Sequence, residues 1–297
     1  MALSLPPMPS DNLFDNRVEN HLGDINTMSD EELLNLIKGC EAFVYAIGAD
    51  ERWLPDTPAF KSFYDANVLP TQRITRLCVE AGVKDFVLYG SYFSEFAERM
   101  PESGLKEMGY PGTRLLQEQI AYAEGEGKMK VSTLRLPYIF GTMPGRVPLW
   151  KMFTDLIKGK DTYPYPTGKT TAVSAHQVAQ ATLGAIKYGT HRASYAISDT
   201  NLSYKHFYDL IIEALGQTDT TELVSIPYEV LRPSFIEADK QTAQAGKEHG
   251  IHIELSQKMN YEDLSIDPNE TINILKYDPV PDMDALIRET LKVCVEA

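Results

Sequence analysis

Tyr110 and Arg114 stand four residues apart in "GYPGTRLLQEQ" (109–119), a spacing that puts both side chains on one helical face. A phenol ordinarily keeps its proton up to a pH of about 10, so it works as an acid or base nearer neutrality only beside a positive charge. Arg114 can supply that charge. Ser91 closes the preceding apolar run, "KDFVLYGSY", and a single loop, "YFSEFAERMPESGLKEMG", joins it to Tyr110. A hydroxyl there can hydrogen-bond a substrate oxygen and steady the charge that develops on it. The chemistry these three residues point to is proton transfer at an oxygen-bearing carbon. The structural alternative is a surface ion pair between Arg114 and Glu118, also four apart, worth roughly a few tenths of a kcal/mol.

Alternating elements have to position these residues. "HLGDI" (21–25) reads as a short strand, and "TMSDEELLNLIKGC" as a helix with Ser29 as N-cap and Glu32 completing a capping box. "AFVYAIG" (42–48) is a continuous apolar run, which predicts a strand buried on both faces. A long helix follows through "AFKSFYDANVLPTQRITRLCVEAG" to a terminating Gly82. "KDFVLYGSY" is the next strand, and a helix starts near Pro111. "MKVSTLRLPYIFG" (129–141) reads as one more strand, stopped by Pro137 and Gly141. "VSAHQVAQATLGAIKYG" predicts a helix and "ASYAISD" a strand returning to the sheet.

The fold class expected is therefore α/β, a doubly wound parallel sheet with helices on both faces. A smaller mixed region, with helices in "SYKHFYDLIIEALG" and "MDALIRETLKVC", would pack over the C-terminal edge of the sheet. The division falls between residues 1–198 and 199–297. In such sheets ligands bind beyond the carboxyl ends of the strands, here Asp24-Ile25, Ala46-Ile47-Gly48, Gly90-Ser91 and Pro137-Tyr138.

Composition narrows the setting. The 297 residues are 43% hydrophobic and 24% charged, ordinary values for a soluble globular protein. A formal charge of −14 argues against nucleic acid or an anionic membrane as partner, since both need a basic surface. Cys40, Cys78 and Cys294 fit no metal spacing and suggest reduced thiols in a cytoplasmic protein. "MALSLPPMPSDN" lacks the basic flank of a signal peptide, and no apolar run approaches membrane-spanning length. No metal is expected. His249 and His252, near Glu248 and Glu254, would share a helical face, but "GIHIEL" reads as a strand.

From about residue 18 almost to the end, the chain resembles the extended short-chain dehydrogenase/reductases, the NAD-dependent epimerase/dehydratase family. "GDI" resembles the family's acidic residue after the third strand, and "VYAIGA" its small-residue cofactor turn. "NVLPTQRITRLCVEAGVKDFVLYGS" resembles the Asn-Val helix and serine-bearing strand, so Asn67 and Ser91 fall on those positions. "YPGTR" falls on Tyr-x-x-x-Lys, "LPYIFG" on the proline turn beside the nicotinamide, and "ILKYDPV" on a late Leu-Gly-Tyr-x-Pro element. "VSAHQVAQA" carries His176 and Gln177 where acids are usual.

The resemblance implies NAD or NADP as cofactor and a small-molecule substrate. It implies Ser91, Tyr110 and Arg114 as the catalytic group. Asp24, Ile25, Ala46, Ile47, Gly48, Asn67, Tyr110, Arg114, Pro137 and Ile139 would contact the cofactor. Residues 1–198 would be the dinucleotide-binding core and 199–297 the substrate cap, with a homodimer as the candidate assembly. The rival reading is a non-catalytic dinucleotide-sensing or protein-binding member of the same fold.

Two departures bear on these expectations. Arg114 replaces the family's lysine; it is a permanent cation with several donors, but it cannot relay a proton. The second is the glycine-rich turn, Gly-x-x-Gly-x-x-Gly, which brings a pyrophosphate to a helix N-terminus. No such turn occurs; Gly125 and Gly127 in "AEGEGK" lead into a strand. The chain reads as entering the fold at its third strand, N-terminally incomplete: either a shortened reading of a longer gene, the favoured alternative, or a product that lacks the phosphate half of the cofactor site. Weak dinucleotide affinity is the corresponding expectation. Arg146 is either matched to an anionic substrate group or simply solvated, and Trp53 is either pocket wall or core. Gly168-Lys169-Thr170 lacks the upstream glycine and strand of a phosphate-binding loop.

Overall fold

The computed structural model describes residues 1–8, 10 and 13–297; Pro9, Asp11 and Asn12 of the opening stretch lie outside the described residues. Two short strands, β1 (Ala2–Ser4) and β2 (Asn20–Leu22), pair in parallel. Helix α1 (Asp30–Ile37) starts from the expected capping box: the Ser29 hydroxyl accepts from the Glu32 amide at 3.2 Å, and the Glu32 carboxylate accepts from the Ser29 amide at 2.7 Å. After β3 (Ala42–Tyr45) comes one long helix in three parts: α2 (Ala59–Phe63), a wider π-turn (Tyr64–Val68) and α3 (Leu69–Glu80). Gly82 ends it in the left-handed region, at φ 81°.

The central unit runs β4 (Asp85–Ser91), α4 (Tyr92–Arg99), α5 (Gly109–Gly125) and β5 (Lys130–Leu136). Next come β6 (Tyr138–Phe140), α6 (Lys151–Ile157), β7 (Thr162–Tyr165), β8 (Lys169–Ser174), α7 (Ala175–Tyr188) and β9 (Ser194–Ala196). The remainder holds β10 (Thr200–Ser203), α8 (Tyr204–Ala214), β11 (Glu222–Ser225), α9 (Tyr228–Gln244), α10 (Ile253–Met259), α11 (Asn269–Leu275) and α12 (Met283–Glu296).

The main sheet has the order β3-β4-β5-β9 and is parallel throughout. Its two faces are read from β4. Phe86 and Leu88 pack with Ile74 and Leu77 of α3 and Ala121 and Tyr122 of α5, whereas Val87 between them packs with Val178 and Ala181 of α7. Alternate side chains point to opposite faces, so helices cover both sides, as expected of a doubly wound sheet. Smaller sheets, β10-β8-β6 and β11-β7, lie outside this layer.

Several expectations need correction. The run "AFVYAIG" is a strand only to Tyr45, and Val44 is 41% exposed rather than buried. Among the described residues β3 pairs with β4 alone and β1 with β2 alone, so each leaves an edge without a strand partner. The fold also begins one strand earlier than the sequence suggests, because Ala2–Ser4 aligns with Asn20–Leu22. "MKVSTLRLPYIFG" is two strands. Pro137 has no amide to continue the ladder, so β5 stays between β4 and β9 while β6 turns away to β8. "GIHIEL" opens helix α10 instead of a strand, because the Asp239 carboxylate on α9 accepts from the amides of Ile253 and Glu254 at 2.7 and 2.9 Å. Among the described residues no helix is long and apolar enough to cross a membrane.

Candidate active site

Ser91 is both the last residue of β4 and the N-cap of α4, where its hydroxyl accepts from the Phe93 amide at 3.2 Å. Tyr110 lies in the first turn of α5, and its amide donates to the Gly250 carbonyl at 2.8 Å. Its ring meets Phe63 edge-on at a centroid distance of 5.8 Å and Phe93 at 6.3 Å. Tyr110, Ser91 and Arg114 are 5%, 4% and 7% exposed, so the three lie below the surface. Burial pushes the Tyr110 phenol above its ordinary pKa; Arg114 pulls it down, Glu51 pushes it up and the Ser91 hydroxyl pulls it down again. All three residues are thus buried, with Ser91 and Arg114 close enough to act on the phenol.

Arg114 lies one turn further along α5, its guanidinium carbon 5.7 Å from the Tyr110 ring centroid. One of its nitrogens donates to the Tyr89 carbonyl on β4, while its Nε is buried with no hydrogen-bond partner. The alternative pairing with Glu118 does not form. Glu118 is 1% exposed and accepts from Arg135 of β5 through two bonds, at 2.7 and 3.0 Å. The face of α5 that carries both residues packs on the sheet, and Arg135 reaches it from below; Arg135 also holds Glu95 and Glu98, each at 2.7 Å.

The residues expected at a cofactor divide into groups. Asn67, fully buried in the π-turn, accepts from the Ala49 amide at 2.7 Å and donates to the Ala49 carbonyl at 3.3 Å. This fixes the loop after β3, in which Ala46, Ile47 and Gly48 are all exposed. A Cβ on Gly48 would fall 2.9 Å from Asn67 Oδ1 and 3.4 Å from Arg114 Nη1, so only glycine leaves that approach open. Ile25 lines a cavity of about 220 Å³ with Asn26, Asp65, Leu69, Arg73 and Ile74. Asp24 turns back to accept from the Asn26 amide at 2.9 Å. Pro137 is buried at the break between β5 and β6, and the Ile139 carbonyl accepts from the Trp150 indole at 3.0 Å. Gln177 is occupied structurally, capping α7 and donating to Asp199 at 2.7 Å.

These features fit the two ends of a dinucleotide. The orphaned Arg114 Nε and the bare Gly48 backbone suit a ribose diol beside Tyr110, and the Ile25 cavity offers an apolar wall with polar neighbours for a base. No glycine-rich turn leads into a helix between them among the described residues.

Sequence reasoning missed the charged triplet after Gly48. Asp50 and Arg52 hold each other, with Arg52 Nε 3.1 Å from both Asp50 oxygens. Glu51 stands exposed between them. Trp53 is 41% exposed and edge-on to Phe63 at 5.2 Å, which itself touches Tyr110. The signal in the sequence was the acidic pair directly after a small-residue turn at a strand's carboxyl end. Arg146 lies exposed in its loop.

Neither a family model nor a curated protein matches the sequence. Solved structures do match the fold. The structure described as gox2253 superposes with a TM-score of 0.74 at 17% identity, covering 99% of this chain and 88% of that one. UDP-N-acetylglucosamine 4-epimerase from Bacillus cereus superposes at 0.65 with 15% identity, over 95% of this chain and 87% of that one. DesIV, a dTDP-glucose 4,6-dehydratase from Streptomyces venezuelae solved with NAD and TYD bound, gives 0.63 at 15% identity, over 97% and 82%. The shared property is the fold, a Rossmann-like architecture common to NAD-dependent epimerases and dehydratases.

Proposed function

We propose that this chain is an NAD(P)-dependent oxidoreductase of the epimerase/dehydratase kind, acting at a carbinol or carbonyl carbon of a small molecule. The observation that carries the reading is the burial of Tyr110, Ser91 and Arg114 in one recess at the carboxyl end of β4. Sugar nucleotides are the first substrate class to try, because structures of this fold bind UDP- and dTDP-sugars.

Arg114 would hold the ribose hydroxyls, with Gly48 and Asn67 lining the approach. Ile25 and Asp24 would sit at the adenine end, and Pro137 and Ile139 beside the nicotinamide. When bound, the nicotinamide supplies hydride acceptance or donation. Tyr110 moves the proton at the substrate oxygen, and Arg114 favours its ionised form. Ser91 hydrogen-bonds the same oxygen. Residues after about 143 would cover the substrate. A cytoplasmic homodimer is part of the same reading; the free Cys40, Cys78 and Cys294 accord with its reducing setting.

The test is Tyr110→Phe, assayed against UDP- and dTDP-hexoses by nicotinamide absorbance, with cofactor binding followed by calorimetry. Loss of turnover of about a hundred- to ten-thousand-fold with binding retained is the expected result. Turnover equal to the parent would remove Tyr110 from the chemistry and bring forward the non-catalytic reading.

A further inference from the structure

Glu51 occupies a position that the trio alone does not explain. Its loop is fixed on both sides. On one side Ala49 is clamped by Asn67 through bonds of 2.7 and 3.3 Å, with Gly48 against Arg114. On the other, Trp53 rests edge-on against Phe63, and Phe63 against the Tyr110 ring. A carboxylate held between two such anchors stays beside the recess.

The charges around Glu51 are unevenly matched. On its own loop Arg52 is taken by Asp50, so that pair is internally neutral. The groups within reach of its charge are Arg114 and Tyr110 on α5, Tyr92 at the start of α4 and Tyr138 on β6. Arg114 already donates to the Tyr89 carbonyl. Glu51 has no ion pair and no side-chain hydrogen bond among the described residues, and it is exposed to solvent. Crowding by the surrounding protein nonetheless pushes its carboxyl above the usual range; its own amide pulls it down, Asp50 pushes it up, and Arg52 and Arg114 pull it down.

Resting on the oxidoreductase reading, we infer that Glu51 is a specificity-determining residue: its free carboxylate accepts hydrogen bonds from a hydroxyl or ammonium group beside the reacting carbon and rejects a carboxylate there. A second negative charge placed against the unpaired carboxylate is repelled, whereas a hydroxyl or ammonium donor satisfies Glu51 directly. The site would therefore select neutral or amino-bearing substrates over acidic ones. The same carboxylate opposes Arg114 at the phenol, so the two residues tune Tyr110 in opposite directions.

Glu51→Gln keeps the size and removes the charge, on an exposed loop where folding is not at stake. Two measurements decide the matter. In the first, difluorotyrosine is incorporated at position 110 and its ionisation followed by fluorine NMR. Glu51→Gln should lower that ionisation pH by on the order of half a unit or more, and Arg114→Met should raise it. In the second, kcat/KM is compared for sugar nucleotides that differ only in a hydroxymethyl or a carboxylate beside the reacting carbon. Glu51→Gln should improve the acidic member relative to the neutral one by about tenfold or more. A phenol that shifts with Arg114→Met but not with Glu51→Gln overturns the inference and leaves the oxidoreductase reading standing. An unchanged preference for the neutral member overturns it equally. Failure of the oxidoreductase reading shows separately, as turnover that survives Tyr110→Phe, and the NMR comparison still judges Glu51.

Discussion

Arginine at position 114 gives the recess a cation that never leaves and never passes on its proton. Its geometry is set from three sides: the Tyr89 carbonyl takes one donor, the Tyr110 ring lies under the guanidinium, and Gly48 leaves a gap on the open side. The buried, unpartnered Nε is a donor for which the protein alone provides nothing. A lysine here would keep the charge but lose the planar fork. Arg114→Lys should retain turnover within about tenfold, while Arg114→Met should lose roughly a hundredfold or more together with cofactor affinity. Steady-state kinetics with calorimetry separates the two. If Arg114→Met binds and turns over like the parent, the guanidinium holds α5 on β4 and nothing else.

Around that trio, the elements are tied together by charge. Arg135 projects from β5 to Glu118 on α5 and to Glu95 and Glu98 on α4, and Arg99 links Glu95 onward to Glu270 on α11. The helices that carry Ser91 and Tyr110 thus share one buried hub. Burial pushes the Glu95 carboxyl up, but the hydrogen bonds from Arg135 and Arg99 outweigh it and hold it below the usual carboxylate range. A carboxyl lowered in the folded state binds protons more weakly there than in the unfolded chain. The stability it contributes is complete above its unfolded pKa and disappears as pH falls through the lower folded value. Glu95→Gln should therefore cost roughly 1–3 kcal/mol at neutral pH, with the difference from the parent narrowing in acid. Urea midpoints measured from neutrality down through the carboxylate range test this; a difference that stays constant with pH would assign the cost to packing.

Tyr110, Ser91 and Arg114 were legible because each sits at a fixed offset from a strand end or within one helical turn. The capping box at Ser29 was legible for the same reason. The partner of Glu118, Arg135, was hidden because it comes from a different element 17 residues away. The α10 helix was hidden because its cap, Asp239, belongs to α9, and Glu51 because its neighbours are brought together only by the fold.

At the scale of the whole molecule, packing crosses the division at 198/199 proposed between a dinucleotide core and a substrate cap. One apolar cluster joins Ala59, Phe63, Tyr92, Phe96 and Tyr110 to Ile251, Leu255, Met259, Leu264 and Ile266. Another joins Val87 and Leu134 of the main sheet to Leu275 and Tyr277. The Tyr110 amide is itself bonded to Gly250. The later residues therefore pack directly against the element that carries Tyr110, and their stability is coupled to the position of the phenol. Leu264 is fully buried in the shared cluster and remote in sequence from the trio. Leu264→Ala should cost about 2–5 kcal/mol, the usual range for a leucine cavity. Because the cluster is continuous, calorimetry should show one transition moved to lower temperature, and fluorine NMR of a label at position 110 should show that site melting with it. Two separated transitions, with the label following the upper one, would make residues 199–297 an independent unit laid over a site that stands without them.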